Sequence, residues 1–378
     1  MPDPRRREGE TTVLQSKVGR RSVSPSRKTF DPPTAPPAMR PRVVLDRLLR
    51  SSEPSIRWKA RVQVLGESPD SRGLRALREE VRRSRRVRAI LGRRDRLGRP
   101  GTLRGVYYKW QGCHWALARL ADIGYPPHDE GLYPLRDRAL AIWLRPSYFR
   151  DTLVSDRGDG HPGQGVPCIE GRYRRCASQQ GNCLYSITIL GLDDGRGEQL
   201  AERLIHWQWP DGGWNCDRNP SADTSSFLET LLPMQGLSVY GKATGSASAT
   251  RAARRAGEVF LRRRLFKRVS DGRIIAPDFV RLHYPTYYHY DVLAGLRGMV
   301  DIGRIRDPRC AVSLDLLESK QLSDGGWPAE AKFYRHEPHE FASQSEFVDW
   351  GGVSSTRMNP WVTVDALGVL VAAGRLSV

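Results

Sequence analysis

Two kinds of helical segment alternate along this chain from residue 42 onward, and the alternation constrains the fold more than any other feature. One kind carries a single apolar stripe. In residues 252–264, Ala252, Ala256, Val259 and Phe260 fall at i, i+4, i+7 and i+8, with arginines on the opposite face. Segments 72–91, 135–144, 197–207 and 308–320 have the same surface-helix character. The other kind is apolar nearly all round: 114–123, 184–192, 227–239, 292–302 and 361–373. A helix apolar on every face has to be enclosed by others. Repeated outer and inner helices therefore predict an all-α fold, an (α/α) barrel or toroid, over residues 42–378.

The repeat is punctuated twice by the same turn. Gln208-Trp209-Pro210-Asp211-Gly212-Gly213-Trp214 and Gln321-Leu322-Ser323-Asp324-Gly325-Gly326-Trp327 each follow an outer helix. Glycine accepts the left-handed conformation that ends a helix, Asp-Gly makes the turn, and the tryptophan covers it. The glutamine amide is free to bond exposed backbone near the next helix. After each turn come hydroxyl-rich stretches, Asp223-Thr224-Ser225-Ser226 and Ser354-Ser355-Thr356, which are expected as N-caps of the following inner helices.

These two turns resemble the QW motif (Gln, then Gly-x-Trp) of squalene and oxidosqualene cyclases, whose α/α toroid is shared by protein prenyltransferase β subunits. Pro54-Ser55-Ile56-Arg57-Trp58, Asp211-Gly212-Gly213-Trp214-Asn215-Cys216, residues 261–265 and Tyr288-His289-Tyr290-Asp291-Val292-Leu293 are similar to bacterial single-domain members of that terpene cyclase and prenyltransferase repeat family. The likeness spans roughly residues 50–375. It implies inner helices around a cavity and isoprenoid chemistry, although fold alone does not fix a reaction. The chain departs from the family in two places. The Asp-x-Asp-Asp acid motif is missing, its nearest counterpart being Asp193-Asp194 in a loop. Where a prenyltransferase has an Asp and, two residues on, a zinc-binding Cys, this chain has Asp223 and Ser225.

Composition narrows the setting. The formal net charge is +19, mostly from arginine, which favours anionic partners. The basic residues are spread over many helices with no zinc-finger or RNP-like motif, so no nucleic acid is expected. Peripheral docking on acidic membranes is a weaker expectation. There is no run of about 18 apolar residues and no apolar h-region, and the six scattered cysteines fit reduced thiols, so a cytoplasmic location is expected. Residues 1–41, rich in Pro, Ser and Arg, are expected to be a disordered basic tail.

The candidate site residues follow from polar groups set against apolar helices. Asp291 and His289 precede the 292–302 helix; a carboxyl in an apolar cavity has a raised pKa and can donate a proton, with His289 to position it or ligate metal. The competing role for Asp291 is to cap its own helix. Cys216 and Asp217 follow the first Gly-Gly-Trp and offer a thiol beside a carboxylate, for zinc or nucleophilic chemistry; the second copy of the turn has neither. A cluster of His161, Cys168, Cys176 and Cys183 is a weaker zinc candidate, with 158–165 as a loop over the barrel mouth. Trp115, Tyr185, Phe227, Tyr287, Tyr288 and Trp361, near inner-helix starts, would line a cavity or simply fill the core. Glu229 and Asp365 lie inside apolar helices, where a carboxylate must be paired or protonated, with Arg297 or Lys109 as partners. The first functional expectation is a class II-like cyclase that protonates an apolar polyprenyl substrate through Asp291, without a cofactor. The second is a prenyltransferase that uses a diphosphate and zinc or magnesium. The third is a non-catalytic toroid that binds lipid or protein.

Overall fold

A computed structural model describes residues 41–92, 103–153, 165–339 and 342–378 of the chain. The expected tail, apart from Pro41, lies outside the described residues, as do His161 and nearly all of the 158–165 loop.

The helices, in chain order, are α1 (Pro41–Leu49), α2 (Pro54–Lys59), α3 (Arg72–Arg82), α4 (Arg85–Leu91), α5 (Leu103–Tyr107), α6 (Cys113–Asp122), α7 (Tyr133–Trp143), α8 (Pro146–Phe149), α9 (Ala177–Ile189), α10 (Arg196–His206), α11 (Phe227–Thr244), α12 (Ala247–Leu261), α13 (Val292–Asp301), α14 (Ala311–Ser319) and α15 (Pro360–Ala372). Five short strands decorate the loops: β1 (Asp151–Leu153), β2 (Val166–Ile169), β3 (Arg172–Tyr173), β4 (Arg335–His336) and β5 (Ser345–Glu346). β1 pairs parallel with β2 and β2 antiparallel with β3, while β4 and β5 form a separate parallel pair.

The domain is an α/α toroid. Its inner ring runs α6, α9, α11, α13, α15 and back to α2, each packed on the next, and Lys59 of α2 reaches Asp122 of α6 to close the circle. Helices α3, α7, α10, α12 and α14 lie outside, and α1 covers the seam between α15 and α2. The sequence dictates this sorting. In α12 the buried residues Ala252, Ala256, Val259 and Phe260 form one stripe, whereas in α15 every residue from Trp361 to Leu370 is buried. Among the described residues, no helix is long and apolar enough to cross a membrane.

The two Gly-Gly-Trp turns are built alike. Gln208 Nε2 donates to Gly212 O (2.6 Å), and Gln321 Nε2 donates to Gly325 O (2.8 Å). Trp214 Nε1 reaches back to Leu204 O of α10, and Trp327 Nε1 to Leu317 O of α14. Trp214 N donates to Thr230 Oγ1 on α11 and Trp327 N to Thr363 Oγ1 on α15, so each turn rivets an outer helix to the next inner one. Gln208 also donates to Ala252 O of α12, a bond to a neighbouring helix of the kind expected.

Local differences from expectation have physical causes. Segment 72–91 is two helices, because the Ser84 hydroxyl accepts from Val87 N and starts a new one. Helix α9 begins at Ala177, seven residues before the expected 184, since the polar residues Ser178, Gln180 and Asn182 are buried among neighbouring helices; Cys183 therefore sits inside it, in the core. α15 is capped by Asn359, which accepts from Trp361 N and Val362 N, and not by the 354–356 hydroxyls.

Candidate active site on the toroid axis

Four inner helices send charged side chains to the middle of the ring. Lys59 ends α2, Asp122 ends α6, Arg297 lies in α13 and Asp365 in α15. Lys59 Nζ, on a side chain with no solvent exposure, lies 3.2 Å from Asp122 Oδ2 and 2.9 Å from Asp365 Oδ1. Arg297 contacts the same two carboxylates, Asp122 Oδ1 at 2.7 Å and Asp365 Oδ2 at 2.9 Å. Two cations and two anions thus balance, the condition for burying charge at all. The backbone changes to a π-helical turn, Ala60–Val64, directly after Lys59; such turns often accompany functional residues in helices. Tyr284 OH donates to Asp122 Oδ2 at 2.7 Å. Burial drives the Asp122 carboxyl upward, but Lys59 and Arg297 outweigh it and hold it below the ordinary carboxylate range, ionised at neutral pH.

Asp122 and Arg297 each keep about a fifth of the side chain exposed (22% and 21%), and both line one pocket that opens to solvent. Its walls also carry Arg119, Asn182, Tyr185, Gln235, Tyr284 and Tyr287. Behind one wall, Arg119 pairs with Glu346, which is fully buried and also accepts from Tyr287 OH at 2.7 Å. Gln235 donates to Asp301 Oδ2 at 2.7 Å, one turn beyond Arg297 on α13. Burial raises the Asp301 carboxyl above its ordinary range. Asp122, paired with two cations, is thus held ionised, while Asp301, behind the lining residue Gln235, is pushed the other way by burial.

The sequence-predicted residues fall into several places. Asp291 is the N-cap of α13: Oδ1 accepts from Ala294 N (2.7 Å), and Oδ2 accepts from His283 N (2.8 Å) and lies 2.9 Å from His283 Nδ1. Both oxygens are occupied and Asp291 does not line the axial pocket, so the capping role stands in place of a cavity acid. His289 stacks on Phe333 (ring centroids 4.0 Å) and Tyr288 (4.4 Å), away from Asp291, and lines a side pocket; burial, His283 and Lys109 lower its pKa to about 3. Tyr185 and Tyr287 do line the axial pocket. Tyr288 lines the side pocket with His289, and Phe227 stacks on Phe279. Trp115 and Trp361 are core, Trp115 edge-on to Trp110 and Trp361 flat on Tyr284. Of the expected partners for Asp365, Arg297 is the one that binds it; Lys109 instead donates to Tyr288 OH.

Cys216 and Glu229 meet a residue weighed elsewhere in the sequence, Cys176. Their ligand atoms all lie within 4.8 Å of one another. The Cys216 thiol donates to Glu229 Oε1 at 3.5 Å; the nearness of the two thiols raises the pKa of Cys216 and lowers that of Cys176, and burial raises Glu229. Asp217 is exposed, accepts from Asn219 N in a local turn, and is not part of the cluster, nor is His289. Cys168 and Cys183 are also outside it, so the expected Cys168, Cys176 and Cys183 grouping does not form.

Lys59, Asp122 and Asp301 were not singled out by sequence. Lys59 lies between Arg57 and Arg61 in a run that looks like a solvated face, and the two aspartates sit at helix ends, where carboxylates are commonplace.

No protein-family model matches the chain, and no curated protein matches it. Solved structures do. An unsaturated glucuronyl hydrolase from Bacillus sp. GL1, described as responsible for the degradation of glycosaminoglycan, is 12% identical, with 84% of each chain covered and a TM-score of 0.41. A variant of UGL with dGlcA-Glc-Rha-Glc is 13% identical over the same shares, with a TM-score of 0.38. These neighbours share the toroid class but are not squalene cyclases. The expected membership in the cyclase and prenyltransferase repeat family is therefore corrected, and with it the isoprenoid cyclase, the prenyltransferase, and the apolar or membrane-borne partner. The axial pocket sets one carboxylate, Asp122, and two guanidinium groups, Arg119 and Arg297, into a wall that also carries Ala118, Leu232, Pro285 and Ala294; an apolar polyprenyl chain would leave those charged groups unanswered.

Proposed function

We propose that the axial pocket takes a small, hydroxyl-rich substrate of saccharide type and that the chain hydrolyses a bond within it. The observation that carries this is the exposure of Asp122 and Arg297, opposite charges fixed by a buried network, into one pocket with Asn182, Gln235 and three tyrosines. Carboxylate, guanidinium and amide groups pair with neighbouring hydroxyls through two hydrogen bonds at a time, and tyrosine faces accept the apolar face of a sugar ring. Asp122 is the one carboxylate among the lining residues, and its ionised oxygens would accept a hydrogen bond from a substrate hydroxyl or a bound water. Asp301, whose carboxyl burial raises, stands behind the pocket and holds the lining residue Gln235 through its 2.7 Å hydrogen bond, a positioning role. That substrate class is also named for the glucuronyl hydrolases, whose likeness to this chain is one of fold alone.

The test is release of new reducing ends from a panel of aryl glycosides and oligosaccharides, including uronic-acid-containing ones. The wild type is expected to cleave at least one. Asp122→Asn should lose roughly 100-fold or more in kcat, and Asp301→Asn clearly less, because its carboxyl reaches the pocket only through Gln235. A folded wild-type protein that neither cleaves nor binds any member of the panel would overturn the proposal.

A further inference from the structure

We propose that Cys176, Cys216 and Glu229 form a zinc site, separate from the axial pocket. Three chain segments deliver the ligands: Cys176 caps the start of α9, Cys216 follows the first Gly-Gly-Trp turn, and Glu229 lies in the first turn of α11. The donor atoms lie within 4.8 Å of one another, with Cys216 Sγ 3.5 Å from Glu229 Oε1. Ligands of one tetrahedral zinc ion, at about 2.0–2.3 Å from the metal, sit roughly 3.5–3.8 Å apart. The cluster therefore closes on an ion with movements of an ångström or less.

The surroundings fit a cation of that charge. Ser178 N donates to Glu229 Oε2 at 3.0 Å, which fixes the carboxylate and leaves Oε1 turned toward the thiols; outer hydrogen bonds of this kind orient metal ligands. Arg175 adjoins Cys176 and is held between the Tyr148 ring (4.2 Å) and Trp207 (5.9 Å), with Nε lacking a hydrogen-bond partner. Two thiolates and a carboxylate carry three negative charges; zinc and Arg175 together carry three positive ones. Thiolate donors select zinc over magnesium or calcium.

The turn itself does not call for the cysteine. In the second copy, whose hydrogen bonds match the first, Ala329 stands where Cys216 stands. Cys176 lies six residues before the pocket-lining Asn182 on α9, about 9 Å along the helix, and none of the three ligands lines the axial pocket. Three protein ligands leave a fourth position for water or a substrate oxygen, the arrangement of open zinc sites.

The experiment titrates the reduced full chain with Co²⁺, then Zn²⁺. The expected result is a thiolate-to-cobalt charge-transfer band that saturates near one equivalent and is displaced by zinc. It should be lost in Cys176→Ser and in Cys216→Ser but kept in Cys168→Ser. Because the first two variants could misfold, alkylation of the wild type gives a second readout: zinc should shield Cys176 and Cys216 but not Cys168. A reduced wild type with no cobalt band and no shielding overturns the proposal, as does a band that survives both substitutions. A Cys176–Cys216 disulfide in protein kept under reducing conditions overturns it too. No turnover is measured, so the outcome is independent of the glycoside assay.

Discussion

A lysine with no solvent exposure is tolerated only when its charge is answered on the spot, and Lys59 is answered twice, by Asp122 and Asp365. Replacing it with methionine keeps the volume but leaves two carboxylates to share Arg297. Lys59→Met should therefore cost about 3–5 kcal/mol, the usual penalty for breaking a buried ionic network; urea denaturation measures it, and a loss under about 1 kcal/mol would contradict the role given to Lys59. The His283–Asp291 pair makes a prediction in pH. Burial lowers the His283 pKa, but Asp291 at 2.9 Å outweighs it and raises the folded value above the ordinary 6.5. The pair's contribution is complete below about pH 6.5 and is lost as pH rises through the raised folded value. A Tm profile should thus fall on the alkaline side of that window in the wild type, and this step should vanish in His283→Gln. At this scale the sequence revealed Asp365 and Arg297, since charge inside an apolar run stands out. It could not separate cap from acid at Asp291, because one residue type serves both and only the partners decide.

At the scale of elements, apolar periodicity located the ring helices, while their ends were set by contacts that periodicity does not carry. Helix α9 extends through Ser178 and Gln180 because neighbouring helices enclose that turn, although no apolar stripe runs there. The inner element Pro54–Val64 was visible only as a short likeness around Trp58, since its arginines and Lys59 mask the pattern. The Gly-Gly-Trp turns were legible in their glutamine and tryptophan roles, because that geometry is local, but the helices before them end at His206 and Ser319, ahead of the glycines. Gly212 has φ of 106°, and a Cβ there would meet Arg255 O of α12 at 2.4 Å. Gly272 also has positive φ (68°) but open space around it. Gly212→Ala should cost at least about 2 kcal/mol, strain plus clash, and Gly272→Ala only about 1 kcal/mol. Chemical denaturation of both variants checks this; equal losses would contradict the close approach of turn and helix.

For the whole molecule, alternating helices specify a toroid, and a toroid creates an axial space without stating what fills it. Inner helices that are apolar nearly all round look the same in sequence whether a hydrocarbon or a sugar enters the ring. The difference lies in the few polar residues that reach the axis, contributed here by four helices more than 300 residues apart at the extremes, from Lys59 to Asp365. Long-range pairing of that kind has no local signature, which is why the fold was readable and the ligand class was not. The net charge of +19 favours anionic ligands in general, and Arg119 and Arg297 bring cationic groups to the pocket itself. We propose the axial pocket, with Asp122, Arg119 and Arg297 set in its wall, as a saccharide-binding active site. Its most direct test is a crystal structure of Asp122→Asn soaked with an oligosaccharide from the cleavage panel. A sugar ring is expected in the axial pocket, with hydroxyls on Arg297 and Gln235 and a face against a tyrosine. An axial pocket that stays free of sugar under saturating soaks, or a sugar bound only elsewhere on the protein, would contradict it.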